Sequence, residues 1–535
     1  MSGSVKKEPQ DHIEIACREI AKIIVSNENL TRGKVFSLIK EVAAKYSLST
    51  LPKYSTVLSY LPDEYRDKVK NLLMVKPVRT SSGIVVFGVM TKPFTCPHGT
   101  CIYCPGGERF GTPQSYTGYE PAAMRAIQNE FEPKKQISVR LEQLRQSGHD
   151  VDKIELIIMG GTFLGMNEDY QHWFVKSCYE AIANKEFLSI EEAKSYCERT
   201  PIRIIGLTIE TRPDWCKERH VDNMLLYGAT RVEIGVQIID DEIYKLINRG
   251  HTVNDVVEAF RIARDSGYKI VAHMMPGLPN SNPKKDLESF KKLFYDNRFK
   301  PDMLKIYPTL VVEGTKLYEM YKNGDYEPYD DETMINLVAE VKKMVPRWVR
   351  IMRIQREIPA WKIEAGVKKS NLRQLALERL KKEGKECNCI RCREVGLRKL
   401  KEDVEPSNIQ LVKEEYEAGE GKEIFLSFED LDNKILVGFL RLRVPSNKAH
   451  RIEINSKPTC IVRELHVYGQ MVPVGKIKED AWQHKGYGAR LMNEAEEIAR
   501  EYGAKKMVVI SGVGVREYYR ELGYWLEGPY MVKDL

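Results

Sequence analysis

No run of apolar residues in this chain of 535 approaches the roughly 18 to 20 that span a bilayer. The opening stretch MSGSVKKEPQDHIEIA also has no apolar core of the secretory kind. A cytoplasmic protein is therefore expected, with no membrane partner. In that reducing compartment eleven cysteines read as metal ligands or buried thiols, not disulfides. Internal repeats and low-complexity segments are missing too, which excludes solenoids and disordered arrays. The excess of positive over negative charge is small. Lys plus Arg number 83 against 76 Asp plus Glu, and a net +7 permits nucleic-acid binding without establishing it.

The chain is too long for one hydrophobic core, so several domains are expected. From Asp11 to Lys70 apolar residues recur at three- and four-residue spacing, which predicts helices over residues 1–75. Basic residues Arg32, Lys34, Lys40, Lys45, Lys53 and Arg66 are scattered over them, a solvated face or an RNA grip. Residues 76–345 alternate short β-rich runs with amphipathic helices. Candidate strands are 84–90, 154–160, 202–210, 231–238, 269–277 and 303–311. This pattern predicts a parallel sheet closed into a partial six-stranded barrel, with ligands at the C-terminal strand ends. A basic connector is expected over 346–405, and a second α/β domain, antiparallel in character, over 406–535.

Cys96, Cys101 and Cys104 lie in KPFTCPHGTCIYCPGG, on the loop after the first candidate strand. Three thiolates are one ligand short for a four-iron cluster. The free iron can then bind S-adenosylmethionine (SAM) for reductive cleavage. Zinc with His98 as fourth ligand is the alternative. The βα context, Tyr103 before Cys104 and the Gly106-Gly107 pair favour the 4Fe-4S reading. Gly160, Gly161 and Thr162 end the second strand, where missing Cβ atoms let backbone approach the methionyl end of SAM. Glu210, Glu233 and Gln237, with Arg212, His273, Lys305 and Tyr307, end later strands and offer polar groups to the cofactor. A second triad, Cys387, Cys389 and Cys392, sits in the basic connector. Three thiolates there repel unless a cation holds them, so structural zinc is expected, with a fourth ligand not visible nearby. The other five cysteines are read as core residues.

Gln483, Gly486 and Gly488 form QHKGYG before the helix ARLMNEAEEIA. Backbone amides at such a helix start hold a pyrophosphate. The preceding strand VRELHVYG and the late Tyr518-Tyr519 pair complete the arrangement of GNAT-type acetyltransferases. In that arrangement Leu465, His466, Val467 and Tyr468 run along the pantetheine, Tyr487 joins the pyrophosphate loop, and a late tyrosine faces the thioester sulfur.

These motifs in this order, together with IIMGGTF, IETRPDW, VEIGVQ, HMMPGLPN and RCREVG, closely resemble the family of Elongator catalytic subunits, from about Lys76 to the C-terminus. KYSTVLSYLP extends the match into the helices. The resemblance implies a fold of α/β class: a partial (βα)6 TIM-like radical SAM barrel, a C-terminal GNAT domain and a small N-terminal helical region. It implies an enzyme that uses SAM and acetyl-CoA to add a carboxymethyl group to carbon five of the wobble uridine, the tRNA anticodon stem-loop being the partner. Self-association or accessory subunits are left open. The cysteine spacing is shorter than in eukaryotic members and suggests an archaeal or bacterial type.

On this resemblance Lys153 touches acetyl-CoA from the radical domain, and Tyr519 places or protonates the departing sulfur, with Tyr518 the alternative. Glu464 is a base for water or a strand ion-pair partner. Arg350, Arg353 and Arg356, with Trp348 and Trp361, are expected to bind RNA phosphates and bases. Two other readings compete: a protein lysine acetyltransferase whose radical domain is a relic, and a non-enzymatic scaffold gated by acetyl-CoA.

Overall fold

The computed structural model describes residues 10–27, 29–76, 80, 82–402, 404–469 and 486–535. Gln483 lies outside the described residues. Helices Gln10–Ser26, Arg32–Lys45, Tyr54–Ser59 and Asp63–Leu73 pack around their own core, built from Ala16, Ile20, Ile24, Val35, Ile39 and Val57.

The central domain is a parallel sheet of seven strands: β1 (Val85–Met90), β2 (Lys153–Met159), β3 (Arg203–Thr211), β4 (Arg231–Gln237), β5 (Lys269–Met274), β6 (Met303–Ile306) and β7 (Arg350–Ile354). They are ordered as numbered, so the sheet is an open half-barrel with free edges at β1 and β7. Val85, Phe87 and Val89 alternate outward from β1 into a core shared with Ile137, Leu141 and Leu144 of the helix Pro133–Gln146. The opposite face carries polar side chains. Thr208 of β3 donates to Glu155 of β2 at 3.0 Å, and Arg231 of β4 donates to Thr208 at 3.0 Å. Closed barrels fill this space with branched aliphatics. Here Glu155, Thr208, Arg231, Glu233 and Lys305 give it a charged wall.

All six expected strands are present. The seventh, RIMRI, falls in the stretch read as a connector, so the sheet continues past residue 345. Its arginines hid the alternation. Arg350 is paired with Glu394 and Arg353 with Glu357, so both charges are neutralised within the fold. Beyond it, Ile363–Ala365 pairs with Val311–Val312, and the helix Leu372–Lys382 packs on Asp331–Met344.

The second sheet is mixed: β8 (Ile409–Ala418), β9 (Gly421–Asp430), β10 (Ile435–Val444), β11 (Thr459–Val467), β12 (Lys506–Val509), β13 (Trp525–Glu527) and β14 (Tyr530–Asp534). Its order is β8-β9-β10-β11-β12-β14-β13, with β11 and β12 parallel. The helix Tyr487–Glu501 buries Leu491, Met492, Ala495 and Ile498 against it. The seam between the two sheets is ionic and fully buried: Arg463 and Arg441 reach Asp302, and Arg443 reaches Asp265. Such charges are tolerated only when paired and hydrogen-bonded. This fixes how the second domain sits against the floor of the half-barrel.

Candidate active site

The loop from Cys96 to Cys104 lies at the C-terminal end of the half-barrel, its three thiols lining one cavity with Gly161, Thr162, Glu210, Glu233 and Gln237. Gln114 pins the loop: its Oε1 accepts from the Cys96 amide at 3.0 Å, while its Nε2 donates to the Gly99 carbonyl at 3.0 Å. His98 Nε2 lies 3.2 Å and Arg249 Nη1 3.7 Å from Cys101 Sγ. A hydrogen bond from the Cys104 thiol, then His98 and Arg249, holds Cys101 well below the usual thiol range, whereas that bond and burial push Cys104 up. Thr162 Oγ1 approaches Cys96 Sγ to 3.9 Å. Gly160 has φ +146, and a Cβ there would stand 2.1 Å from Thr91 Oγ1, so only glycine allows this turn.

Across the cavity Glu233 is held by His273 Nε2 at 2.8 Å and by Lys305. Burial works against its charge, but Lys305 and His273 outweigh it and depress its pKa. At Glu210 the pull of Lys305 is outweighed: burial and then the neighbouring Glu233 push it up to about 7, and Tyr116 donates to it at 3.2 Å. Gln237 adopts φ +69, a strained backbone at a cavity wall. Several buried polar atoms here have no protein partner, among them Glu233 Oε1, Gln237 Oε1, Tyr103 Oη and Arg249 Nε. Three thiols lining one cavity, with orphaned donors and acceptors, fit a three-cysteine cluster carrying a polar ligand such as SAM. Arg249, Tyr116 and Gln114 escaped the sequence reading, because nothing in a lone residue between motifs signals a return to the cysteine loop.

Of the glycine loop, Gly486, Tyr487 and Gly488 lie among the described residues. Gly486, with φ +75, caps the helix Tyr487–Glu501 without a side-chain hydrogen bond to its first turn. A Cβ on Gly488 would meet Tyr518 Oη at 2.7 Å and Val467 Cγ2 at 3.9 Å, so loop, β11 and Tyr518 converge. Tyr518 Oη is buried and, among the described residues, without a hydrogen-bond partner. Tyr519 instead packs in the sheet core against Tyr524. Tyr518 is thus the tyrosine beside Gly488, and Tyr519 the one enclosed in the sheet core. Leu465 lies on β11 at the edge of that core, and His466 reaches the Ser82 carbonyl at 3.4 Å. Tyr468, expected along the pantetheine, is buried and accepts a hydrogen bond from Arg350 at 2.8 Å, tying the two domains. Glu464 accepts from Arg441 at 2.8 Å; burial raises its pKa, but Arg441 and Lys269 lower it further, which suits an ion-pair partner better than a base. Lys153 begins β2 opposite Arg203, and Arg203 packs on Gly514, four residues before Tyr518. Burial lowers the pKa of Lys153, with Asp152 opposing.

The second triad converges as expected, with its sulfurs within 4.8 Å of one another. Among the described residues no fourth cysteine, histidine or carboxylate joins that group. Lys342 does: its ammonium lies 3.2 Å from Cys387 and 3.8 Å from Cys392. Burial opposes that charge, but the sulfurs, Cys389 foremost, outweigh it and raise its pKa.

Profiles of four families match successive parts of the chain: the ELP3 N-terminal domain over 13–81, the Radical SAM superfamily over 91–293, the Radical_SAM C-terminal domain over 301–382 and the Acetyltransferase (GNAT) family over 394–524. Elongator complex protein 3 of Homo sapiens is 47% identical over 529 residues, covering 96% of each chain. The chain belongs to the Elongator complex protein 3 family. A Methanocaldococcus infernus relative named tRNA uridine(34) acetyltransferase is 52% identical over 491 residues, covering 90% of this chain and 92% of its own. The solved structure of archaeal Methanocaldococcus infernus Elp3 with an N-terminal deletion superposes with a TM-score of 0.76 at 48% identity, covering 85% of this chain and all of that one.

This member of the Elongator complex protein 3 family does not present its expected RNA residues as one surface. Trp348 is buried, stacked on Tyr416 with centroids 4.2 Å apart, and Arg350 is enclosed by Glu394 and Tyr468. Arg356 lines the radical cavity and donates to the Lys368 and Ile358 carbonyls. Trp361 stands exposed. On the N-terminal helices Arg32 caps the Met74 carbonyl and Lys45 pairs with Glu19, while Lys34, Lys40 and Lys53 are exposed. No helix among the described residues is long and apolar enough to cross a membrane.

Proposed function

We propose that this chain is a tRNA uridine(34)-modifying acyltransferase, joining a radical centre at the C-terminal end of the half-barrel to a thioester site in the acetyltransferase domain. The observation that carries it is the cavity in which Cys96, Cys101 and Cys104 meet Gly161, Thr162 and the polar rim. A relic radical domain serving only lysine acetylation has no reason to hold orphaned polar atoms in that position. The Methanocaldococcus infernus relative bears the corresponding name.

Carbon five of uracil is too weakly nucleophilic for direct acetyl transfer, so a carbon-centred radical is needed. A 4Fe-4S cluster with SAM supplies that radical chemistry when bound. Cys96, Cys101 and Cys104 would hold the cluster, and Gly160, Gly161 and Gln237 would accept the cofactor's polar groups. Glu210, titrating near 7, can hold or release a proton beside it. The helix start after Gly486 would take the pyrophosphate of acetyl-CoA, and Tyr518 would donate to the sulfur. A carboxymethyl group is the product in this reading. Cys387, Cys389 and Cys392 would hold a structural zinc, Lys342 compensating thiolate charge. The test is to incubate anaerobically reconstituted protein with dithionite, SAM, acetyl-CoA and tRNA, then digest the RNA and weigh the wobble nucleoside. A carboxymethyl adduct is expected; acetylated protein with unmodified RNA would favour the lysine acetyltransferase reading.

A further inference from the structure

An exposed aromatic corner beside the radical cavity is built by two loops distant in sequence. Tyr119 and Trp361 meet edge to face, with centroids 4.8 Å apart and planes at 75°. Trp361 is 68% exposed and Tyr119 43%, so the tryptophan keeps most of one ring face free. The Lys362 ammonium lies 4.7 Å from the Tyr119 centroid and 5.0 Å from that of Trp361. A cation shared by two rings polarises both and brings positive charge to an aromatic corner.

The corner is held in place. Glu120 accepts from the Thr117 amide and hydroxyl at 2.9 Å and from the Gly118 amide at 3.1 Å, which fixes the turn bearing Tyr119. Trp361 sits in the turn Ala360–Lys362, stitched at one end by Arg356 to Ile358 and Lys368 and continued at the other by the strand Ile363–Ala365. Glu120, next to Tyr119, and Ile358, three residues before Trp361, line the radical cavity itself. The platform therefore stands at the cavity mouth. An isolated solvent-facing tryptophan has no need of such a frame.

We infer that Tyr119, Trp361 and Lys362 form a stacking platform for an unpaired base next to the one that enters the cavity. This rests on the tRNA reading above and deepens it. A uridine that reaches the thiol loop must leave its loop stack, and its neighbour then loses a stacking partner. An aromatic face with adjacent positive charge replaces that partner and takes the intervening phosphate, for any base identity. The platform thus recognises a splayed single strand rather than a sequence, and rejects duplex RNA.

The probe is an anticodon stem-loop RNA with 2-aminopurine 5′ or 3′ to the wobble uridine, in two separate RNAs, titrated into the full-length protein. Binding should quench one of them. Trp361→Ala should abolish that quench and weaken binding about tenfold, the scale of one lost base–aromatic stack. Trp361→Phe should restore both. Thermal melting should be unchanged, because the side chain is mostly solvated. Unchanged quench and affinity in Trp361→Ala and Tyr119→Ala would overturn the platform and hand this surface to a protein partner. Equal weakening toward a fully paired duplex would overturn it as well. Failure of the unaltered protein to bind any RNA would take down the tRNA reading along with it.

Discussion

Arg463 and Asp302 form a bidentate pair with neither side chain exposed: Nη2 to Oδ1 is 2.6 Å and Nη1 to Oδ2 is 2.9 Å. Asp302 immediately precedes β6 and Arg463 lies on β11, so the bond joins the floor of the half-barrel to the acetyltransferase sheet. Glu423 accepts from the same guanidinium at 2.7 Å, and the second negative charge is met by Arg443 on Glu423 and Arg441 on Asp302. Removing one partner strands the other. Asp302→Asn or Arg463→Leu should lower stability by about 3–5 kcal/mol, read as a fall in denaturant midpoint, whereas breaking the exposed pair Lys245–Glu242 should leave the midpoint unchanged.

The two cysteine triads should separate in metal analysis. Replacing Cys96, Cys101 and Cys104 by alanine should abolish iron and the broad visible absorption after anaerobic reconstitution while leaving zinc in place. Cys389→Ala should do the reverse, releasing zinc and lowering thermal stability by several degrees. A protein that keeps full iron without the first triad would refute its assignment.

Glu210 gives a pH signature. Its carboxyl titrates near 7 in the folded protein against 4.5 in an unperturbed chain, because burial and then Glu233 disfavour its charge. Between those values the folded state binds a proton that the unfolded state has released, so stability falls as pH rises from 4.5 through 7. Glu210→Gln should remove that part of the slope, on the order of 2 kcal/mol between pH 5 and 8. The readout is the difference between the pH–stability curves of the two proteins.

Tyr518 and Tyr519 should part company. Tyr518→Phe takes away a hydroxyl beside the glycine loop that has no partner among the described residues, so thioester cleavage should fall about a hundredfold with RNA affinity intact. Tyr519→Phe alters a residue packed in the core and should change turnover less than threefold. Free CoA release, measured with and without tRNA, decides the matter. The opposite ranking would restore Tyr519 to the thioester.

The strand–helix alternation, the tight cysteine spacings and the glycine loop are local signals, and the sequence by itself determined from them the half-barrel, both thiol triads and the second α/β domain. Side-chain type and spacing carry that information, because a strand's face and a chelating loop are set by neighbours only a few residues away. What only the tertiary structure decided depends on charges meeting from far apart. RIMRI hid as a basic connector until Glu394 and Glu357 neutralised its arginines. Glu464 became an ion-pair partner once Arg441 lay beside it, and Arg249 became part of the thiol site by returning to Cys101 across more than a hundred residues. Trp348 and Trp361 are both tryptophans in one basic stretch. The first is buried on Tyr416 and the second stands free at the cavity mouth, because burial is a property of the assembled surface and not of the residue.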